Sequence, residues 1–416
     1  MSEESKRVLL IAPHESYRLA PYMAAARELG IEITVASSGQ YSLVSAIVDG
    51  LHIEFDQPQA ALDKIIEVAG KQAFDAIIGT DDLSVVLASQ AAQALGLAHN
   101  PPHASLISRR KDHARDCLNA AGIPVPGYRR IDLRQPCSDQ CQNINFPCVV
   151  KPLALSASRG VIRVDSPEQL YEACDRVKKI IADVYDEEER NYVLIEDYLP
   201  GDEVAVDGLL DNGQLSLIMI FDKPDPLEGP FFEETYYITP SRHEESIVEK
   251  IRERVGEACC AYGLVTGPVH AECRINDEGV WMLELAARTV GGECSRLLQF
   301  GASQSLEALV LLHAVGHQHD IKQMEGAAGV LMIPIPERGI LRRVEGIMAA
   351  QNVPFIESVQ INVHTGYELI PAPEGSSYLG YIFARAPTPQ QAEQALREAH
   401  SHLKIVTAPI FKLAAG

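Results

Sequence analysis

The sequence predicts an α/β unit followed by two α+β units, and three observations predict it. Apolar runs of strand length alternate with helical patterns over residues 1–103. Runs rich in Val, Ile, Tyr and Phe, with isolated helices between them, fill 104–328. A second alternation starts near residue 329 and lasts to 416. Strand–helix alternation gives a parallel sheet covered by helices, whereas strand runs between single helices give antiparallel sheet.

In the first unit, 8–11, 33–35, 53–55 and 76–78 read as strands, and 21–29, 60–69 and 83–95 as helices. A parallel sheet binds ligands at the carboxyl ends of its strands, which puts Pro13-His14-Glu15, Ser37-Ser38 and Thr80-Asp81-Asp82 along one rim. The turn Ala12-Pro13-His14-Glu15-Ser16 has no glycine to let the backbone approach a pyrophosphate, and the chain has no GxxxxGK[ST] loop, so two common nucleotide-site designs are excluded. After the linker Asn100-Pro101-Pro102-His103, a helix over 104–121 stops at Gly122 and the Pro124-Val125-Pro126 run. Strands at 146–150, 161–164, 192–196, 203–209 and 215–221 surround one helix at 167–181. Helices at 247–262 and 305–315 flank a further hairpin. The last unit holds strands at 329–334, 359–363 and 379–384 and a helix at 388–404.

Composition narrows the function. Of 416 residues, 46% are hydrophobic and 22% charged, as in ordinary globular proteins. No apolar run approaches the ~20 residues that span a bilayer, and the start Met-Ser-Glu-Glu-Ser-Lys lacks a signal-peptide layout, so a cytoplasmic protein without membrane contact is expected. The net charge of -21 argues against nucleic acid as a partner. Nine cysteines fit no zinc pattern, and Cys137 and Cys141 lack a second pair or nearby histidines, so reduced, buried thiols are expected.

Four segments carry chemistry. Val269-His270-Ala271-Glu272-Cys273-Arg274 passes through Asn276-Asp277-Glu278-Gly279 into Val280-Trp281-Met282-Leu283-Glu284, a hairpin by its turn residues. Glu272 and Glu284 lie at similar distances from that turn, so they become neighbours with Cβ atoms about 5–7 Å apart if they share a face. Two carboxylates so close repel unless a cation separates them or one is protonated, and hard oxygens beside phosphates suit Mg²⁺. Read alone, they are equally two surface glutamates on a solvated hairpin. Arg288, followed by Gly291 and Gly292, is placed to reach a phosphoryl or oxyanion centre, or else serves as a structural ion-pair partner. His270 shares a strand face with Glu272, either to orient a substrate or as a satisfied core histidine.

Next, the strand ending at Lys151 runs into Ala154-Leu155-Ser156-Ala157-Ser158-Arg159-Gly160, whose small residues let backbone N–H groups close over phosphates; a plain hairpin turn is the alternative. Tyr192 to Glu203 is a strand, a connector and another strand. Such a hinge can offer Tyr198 and its neighbours to an adenine edge and Glu196 or Glu203 to ribose hydroxyls, and by itself is only a strand and a turn. Lys111 sits on an amphipathic helix, where spacing alone gives it no special role.

In this order along the chain, these segments resemble the ATP-grasp superfamily over roughly residues 1–330. The resemblance implies a Rossmann-like N-terminal domain (1–103), an ATP-grasp domain (104–328) with a lid at about 130–200 and two subdomains clamping ATP, and a small C-terminal domain (329–416). It implies that Lys111, Lys151, Ser156, Ser158, Gly160, Glu196, Tyr198 and Glu203 bind ATP, that Glu272 and Glu284 hold Mg²⁺ or Mn²⁺, and that Arg288 and Lys151 are catalytic. His270-Ala271-Glu272 and Glu284-Leu285-Ala286-Ala287-Arg288 look like the bacterial L-amino-acid ligases, which make dipeptides. Gly229 to Thr235 looks like the strand those ligases turn toward substrate, which makes Glu233, Glu234, His270, Gly291 and Gly292 substrate candidates. Ala286 departs from the pattern, since many members carry an asparagine ligand there. The implied activity is ADP-forming ligation of small-molecule carboxylate and amine substrates through an acyl phosphate, in a chain that pairs as a homodimer in many relatives. A biotin carboxylase-like or glycinamide ribonucleotide synthetase-like enzyme and an inactive nucleotide-binding protein are the alternatives.

Overall fold

The computed structural model describes residues 5–14, 16–38, 50–302, 305–317, 320–322 and 324–410; Glu15 of the expected rim lies outside them. The first unit contains β1 (Arg7–Ile11), α1 (Leu19–Leu29), β2 (Glu32–Ser37), β3 (Gly50–His52), α2 (Pro58–Lys71), β4 (Ala76–Gly79) and α3 (Val85–Ala94). Its sheet is wholly parallel, in the order β3-β2-β1-β4. β3 ends before the expected strand at 53–55. Ile53 donates one last amide to the Ser37 carbonyl, and its side chain then packs under the helices.

The expected helix at 104–121 is two helices, α4 (Pro102–Arg109) and α5 (Lys111–Ala120), parted by Arg110 in extended backbone (φ -106°, ψ 110°). The break frees the Lys111 amide to donate to the Leu153 carbonyl at 2.8 Å, and it turns the buried Arg110 guanidinium onto Asp112. Periodicity continues across the break, which is why the sequence reads as one helix.

A small antiparallel lid follows: β5 (Tyr128–Asp132), α6 (Cys137–Gln140), β6 (Cys148–Pro152), β7 (Ile162–Val164), α7 (Pro167–Ile180), α8 (Glu187–Asn191) and β8 (Tyr192–Asp197), in sheet order β5-β8-β6-β7. β5 was not expected, because Tyr-Arg-Arg-Ile-Asp offers a single fully buried side chain, Ile131. In the lid core Cys137 lies 3.2 Å from Cys141 and 3.1 Å from Cys174, sulfur to sulfur. The three are free thiols, and Cys137 is pushed up to about 12 by its neighbour Cys174 and by burial, against an opposing hydrogen bond with Cys141.

The remaining strands are β9 (Asp202–Asp211), β10 (Gln214–Lys223), β11 (Tyr236–Thr239), β12 (Gly267–Asn276), β13 (Gly279–Ala286), β14 (Ala327–Ile333), β15 (Gly339–Glu345), β16 (Ile356–Ile361), β17 (Glu368–Leu369), β18 (Gly380–Ala386) and β19 (Lys404–Ala408). The helices among them are α9 (Glu245–Tyr262), α10 (Arg296–Ala302), α11 (Leu306–Ala314), α12 (Ile347–Gln351) and α13 (Pro389–Ser401). Eight of these strands form one sheet, β13-β12-β9-β10-β11-β14-β18-β16, and β17-β15-β19 form a second. The large sheet therefore runs through residue 328 without a break, since β11 pairs with β14 from Tyr236↔Leu331 to Thr239↔Ala328. Residues 229–235, expected as a strand, are extended chain with one bridge, Phe231↔Ile162. The Thr235 carbonyl accepts the Met332 amide at 2.8 Å and regular pairing with β14 follows from Tyr236, while the side chains of Glu234 and Thr235 bond Lys223 and Asp225. Among the described residues no helix is long and apolar enough to cross a membrane.

Candidate active site

A cleft of about 1170 Å³ opens between the first unit, the lid and the large sheet. Its floor is the β12–β13 hairpin. From the turn outward the register is regular, Asn276↔Gly279 to Cys273↔Met282, and then slips so that Glu272 faces Glu284. An unbroken ladder would have set Leu283 opposite Glu272 and turned Glu284 to the other face. The β-bulge at Leu283 brings both carboxylates to the cleft. The bulge carbonyl left over, Leu283 O, accepts from the Arg115 guanidinium at 2.7 Å.

Arg115 is fully buried and organises more than the bulge. Its Nε stands 2.8 Å from Glu196, whose other oxygen pairs with Lys151 Nζ at 2.6 Å. Glu196 was expected to meet ribose hydroxyls; at 2% exposure, with a cation on each oxygen, it is instead the buried counter-ion that aims Lys151 into the cleft. Burial alone would raise the Glu196 carboxyl, but Arg115 and Lys151 hold it below its ordinary value. Lys151 is lowered by burial and by Arg115, with Glu196 opposing. Lys111, first residue of α5, donates to the Leu155 carbonyl at 2.9 Å and lies 3.2 Å from Glu284. Two lysines thus enter the cleft beside the floor.

A second charged group surrounds Lys223, a residue that nothing in its local pattern singles out. Its ammonium contacts Glu203 at 2.8 Å, Glu234 at 2.5 Å and Glu272 at 3.0 Å. The three carboxylates offer oxygens within 4.8 Å of one another, a geometry that could hold a metal ion. Burial and the adjacent Glu272 push Glu234 up to about 7, whereas Lys223 and His270 hold Glu272 well below its ordinary value despite its burial. Glu203, expected at a ribose, also accepts from buried Arg274 at 2.9 Å. Residue type and spacing hid this cluster, since Glu203, Lys223, Glu234 and Glu272 come from four separate stretches of chain.

Arg288 is buried and forks onto Asp82 of the first unit, with both contacts at 2.9 Å. Asp82 is held below the usual carboxylate range by Arg288 although burial opposes it. The rim aspartates were legible from the sequence; the grip of Asp82 on Arg288 was not. His270 bonds Asp207 through Nδ1 at 2.8 Å and has Nε2 3.8 Å from Glu272; although burial opposes it, these carboxylates raise it to about 9. Gly292 donates its amide to the Tyr17 hydroxyl at 2.9 Å, has φ +62°, and packs so closely on the Met332 sulfur that a Cβ would collide with it. Gly291 and Gly292 line the cleft beside Tyr17.

Ser156 and Ser158 line the cleft with Ala157. Gly160 does not; it packs behind the loop, where a Cβ would lie 2.8 Å from Pro152 Cγ. Tyr198 lines the hinge, with Arg163 stacked 4.4 Å from its ring centre. Glu233 also falls outside the cleft wall and accepts the Ile335 amide.

The architecture is a lid and a sheet that face each other across one cleft lined by lysines and carboxylates. Family models match in three places: an ATP-grasp N-terminal domain at 23–99, an ATP-grasp domain at 144–296 and an L-amino acid ligase C-terminal domain 2 at 331–408. A D-alanine–D-alanine ligase of Gloeobacter violaceus is 30% identical over 240 residues, which cover 51% of this chain and 75% of that one. The alanine–anticapsin ligase of Bacillus subtilis is 26% identical over 257 residues, covering 58% of this chain and 54% of its own, so the match spans about half of that relative. The crystal structure of an L-amino acid ligase from Bacillus licheniformis shares the fold, with a TM-score of 0.85 at 23% identity over 98% of this chain and 100% of that one. The chain belongs to the ATP-grasp family.

Proposed function

We propose that this chain is an ADP-forming carboxylate–amine ligase that activates an amino acid's carboxylate with ATP and joins it to an amine. The observation that carries the reading is the bulge that sets Glu284 opposite Glu272 on the floor of a cleft also entered by Lys111 and Lys151. The names of the similar proteins, which are amino-acid ligases, favour this substrate class.

The residues fit a divalent ion, because Glu272 and Glu284 offer hard oxygens and each now rests against a lysine ammonium that a metal charge could supplement. We assign Mg²⁺ to Glu272 and Glu284, with Mn²⁺ as the alternative and Glu234 and Glu203 adjoining. When bound, the ion neutralises phosphate oxygens. Lys111 and Lys151 neutralise the polyphosphate, and Lys151 stays aimed because Glu196 cannot leave it. The substrate carboxylate attacks the γ-phosphorus and releases ADP. The amine then attacks the acyl phosphate carbon, and phosphate departs. Arg288 keeps one edge on Asp82 and stabilises the charge that develops on the transferring oxygens. The 154–160 loop covers the acyl phosphate and excludes water.

The test is phosphate release from Mg²⁺–ATP across amino acids singly and in pairs, with the amide identified by mass. Glu284→Ala should abolish both signals, and full activity in that variant would overturn the assignment.

A further inference from the structure

The phosphate loop is not held by the lid alone. Ala157 and Ser158 both adopt left-handed backbone (φ 54° and 52°), a conformation that non-glycine residues keep only when neighbours impose it. The two residues that follow, Arg159 and Gly160, are held by a turn from the far end of the chain, residues 371–378, between β17 and β18. The Gly160 amide donates to Pro373 O at 2.8 Å, and Arg159 Nε donates to Glu374 O at 3.0 Å. The Glu374 carboxylate in turn accepts a forked pair from Arg176 of α7, at 2.5 and 2.9 Å. The Phe231 ring lies 5.0 Å from the other side of that guanidinium. Ser376, Ser377 and Tyr378 of the same turn line the cleft, so one turn touches the outside of the loop and the inside of the site.

We propose that Glu374 is a positioning residue for the ligation: through Arg176 and the adjoining backbone it holds the phosphate loop shut against the C-terminal unit. Its role in ligation rests on the function proposed above; the contact itself does not. The carboxylate and guanidinium are each about two-fifths exposed (41% and 42%), which makes the pair weak enough to open for exchange of nucleotide. A loop that opens early lets water reach the acyl phosphate, which then releases phosphate without forming an amide.

Arg159 supplies a direct readout, because the Arg159–Gly160 bond is a trypsin site whose amide is the one Pro373 holds. Glu374→Ala should speed nicking at Arg159 by about fivefold, the scale of a surface ion pair, with an unchanged melting temperature. It should also raise the ratio of phosphate released to amide formed, with a larger effect on kcat for amide than on KM for ATP. The swapped pair Arg176→Glu with Glu374→Arg should restore both. Unchanged nicking in Glu374→Ala, or no rescue in the swap, overturns the proposal. Faster nicking rescued by the swap, in a protein that makes no amide from any amino-acid pair, upholds the latch and sinks the ligase reading instead.

Discussion

At the scale of single residues, the site depends on Arg115, which the sequence shows only as one more basic group on an amphipathic helix. It neutralises Glu196 and ties down the bulge carbonyl while remaining wholly out of solvent. Removing one member of such a buried charge group leaves the others uncompensated. Arg115→Leu should therefore cost about 3–5 kcal/mol in a urea unfolding titration, with loss of ATP binding. The sign of the pH effect follows from Glu196. Its folded carboxyl is held below its ordinary value of 4.5, so its contribution is complete above that value and fades as pH falls through the lower folded one. Glu196→Gln should be less stable than wild type at neutral pH, and the difference should shrink on acidification below about pH 4. A difference that widens in acid would show that the carboxyl is not ionised in the fold. Lys151, Glu272 and Glu284 could be singled out because a lysine at a strand end and acids around a turn have a spacing to read; Lys111 has none and came only from the family resemblance. The pairing of Glu196 with Arg115 was not legible, because the two lie 81 positions apart and nothing local reveals it.

At the scale of elements, two irregularities decide what the regular pattern could not. The bulge at Leu283 and the break at Arg110 each violate the period by which strands and helices are recognised, and each brings a charged side chain to the cleft: Glu284 and Lys111. The loop at 154–160 is a third. Ala157→Gly removes a left-handed strain and should leave stability equal or raise it by up to about 1 kcal/mol. Ser158→Pro cannot adopt φ 52° and should weaken nucleotide affinity at least tenfold in a binding titration while the melting temperature stays within a few degrees. Strands with two apolar faces, such as β9 and β14, were visible from composition. β5 and β11 were not, since one is polar and the other has four residues.

At the scale of the whole molecule, the continuous eight-stranded sheet joins what the sequence divides near residue 328. A fragment of residues 1–328 would expose the β11 edge and strip Tyr236 and Ile238 of the core they share with Leu331 and Ile333. It should be insoluble or fail to bind ATP, whereas a soluble, ATP-binding fragment would show that the last unit is dispensable for folding. Trp281, the single tryptophan, lies on the floor hairpin and bonds Asn276 at 3.1 Å, so its fluorescence follows the large sheet. Its unfolding curve should coincide with that of far-ultraviolet dichroism.

The seam between the first unit and residues 288–292 has a further consequence. Asp82 grips Arg288, Arg18 reaches toward Val290 O at 3.5 Å, and the Tyr17 hydroxyl receives the Gly292 amide. These partners are separated by more than two hundred positions, so this wall of the cleft is complete only after the first unit has met residues 288–292. The Gly292 amide should consequently gain protection from deuterium exchange late during refolding, after the β9–β10 hairpin amides.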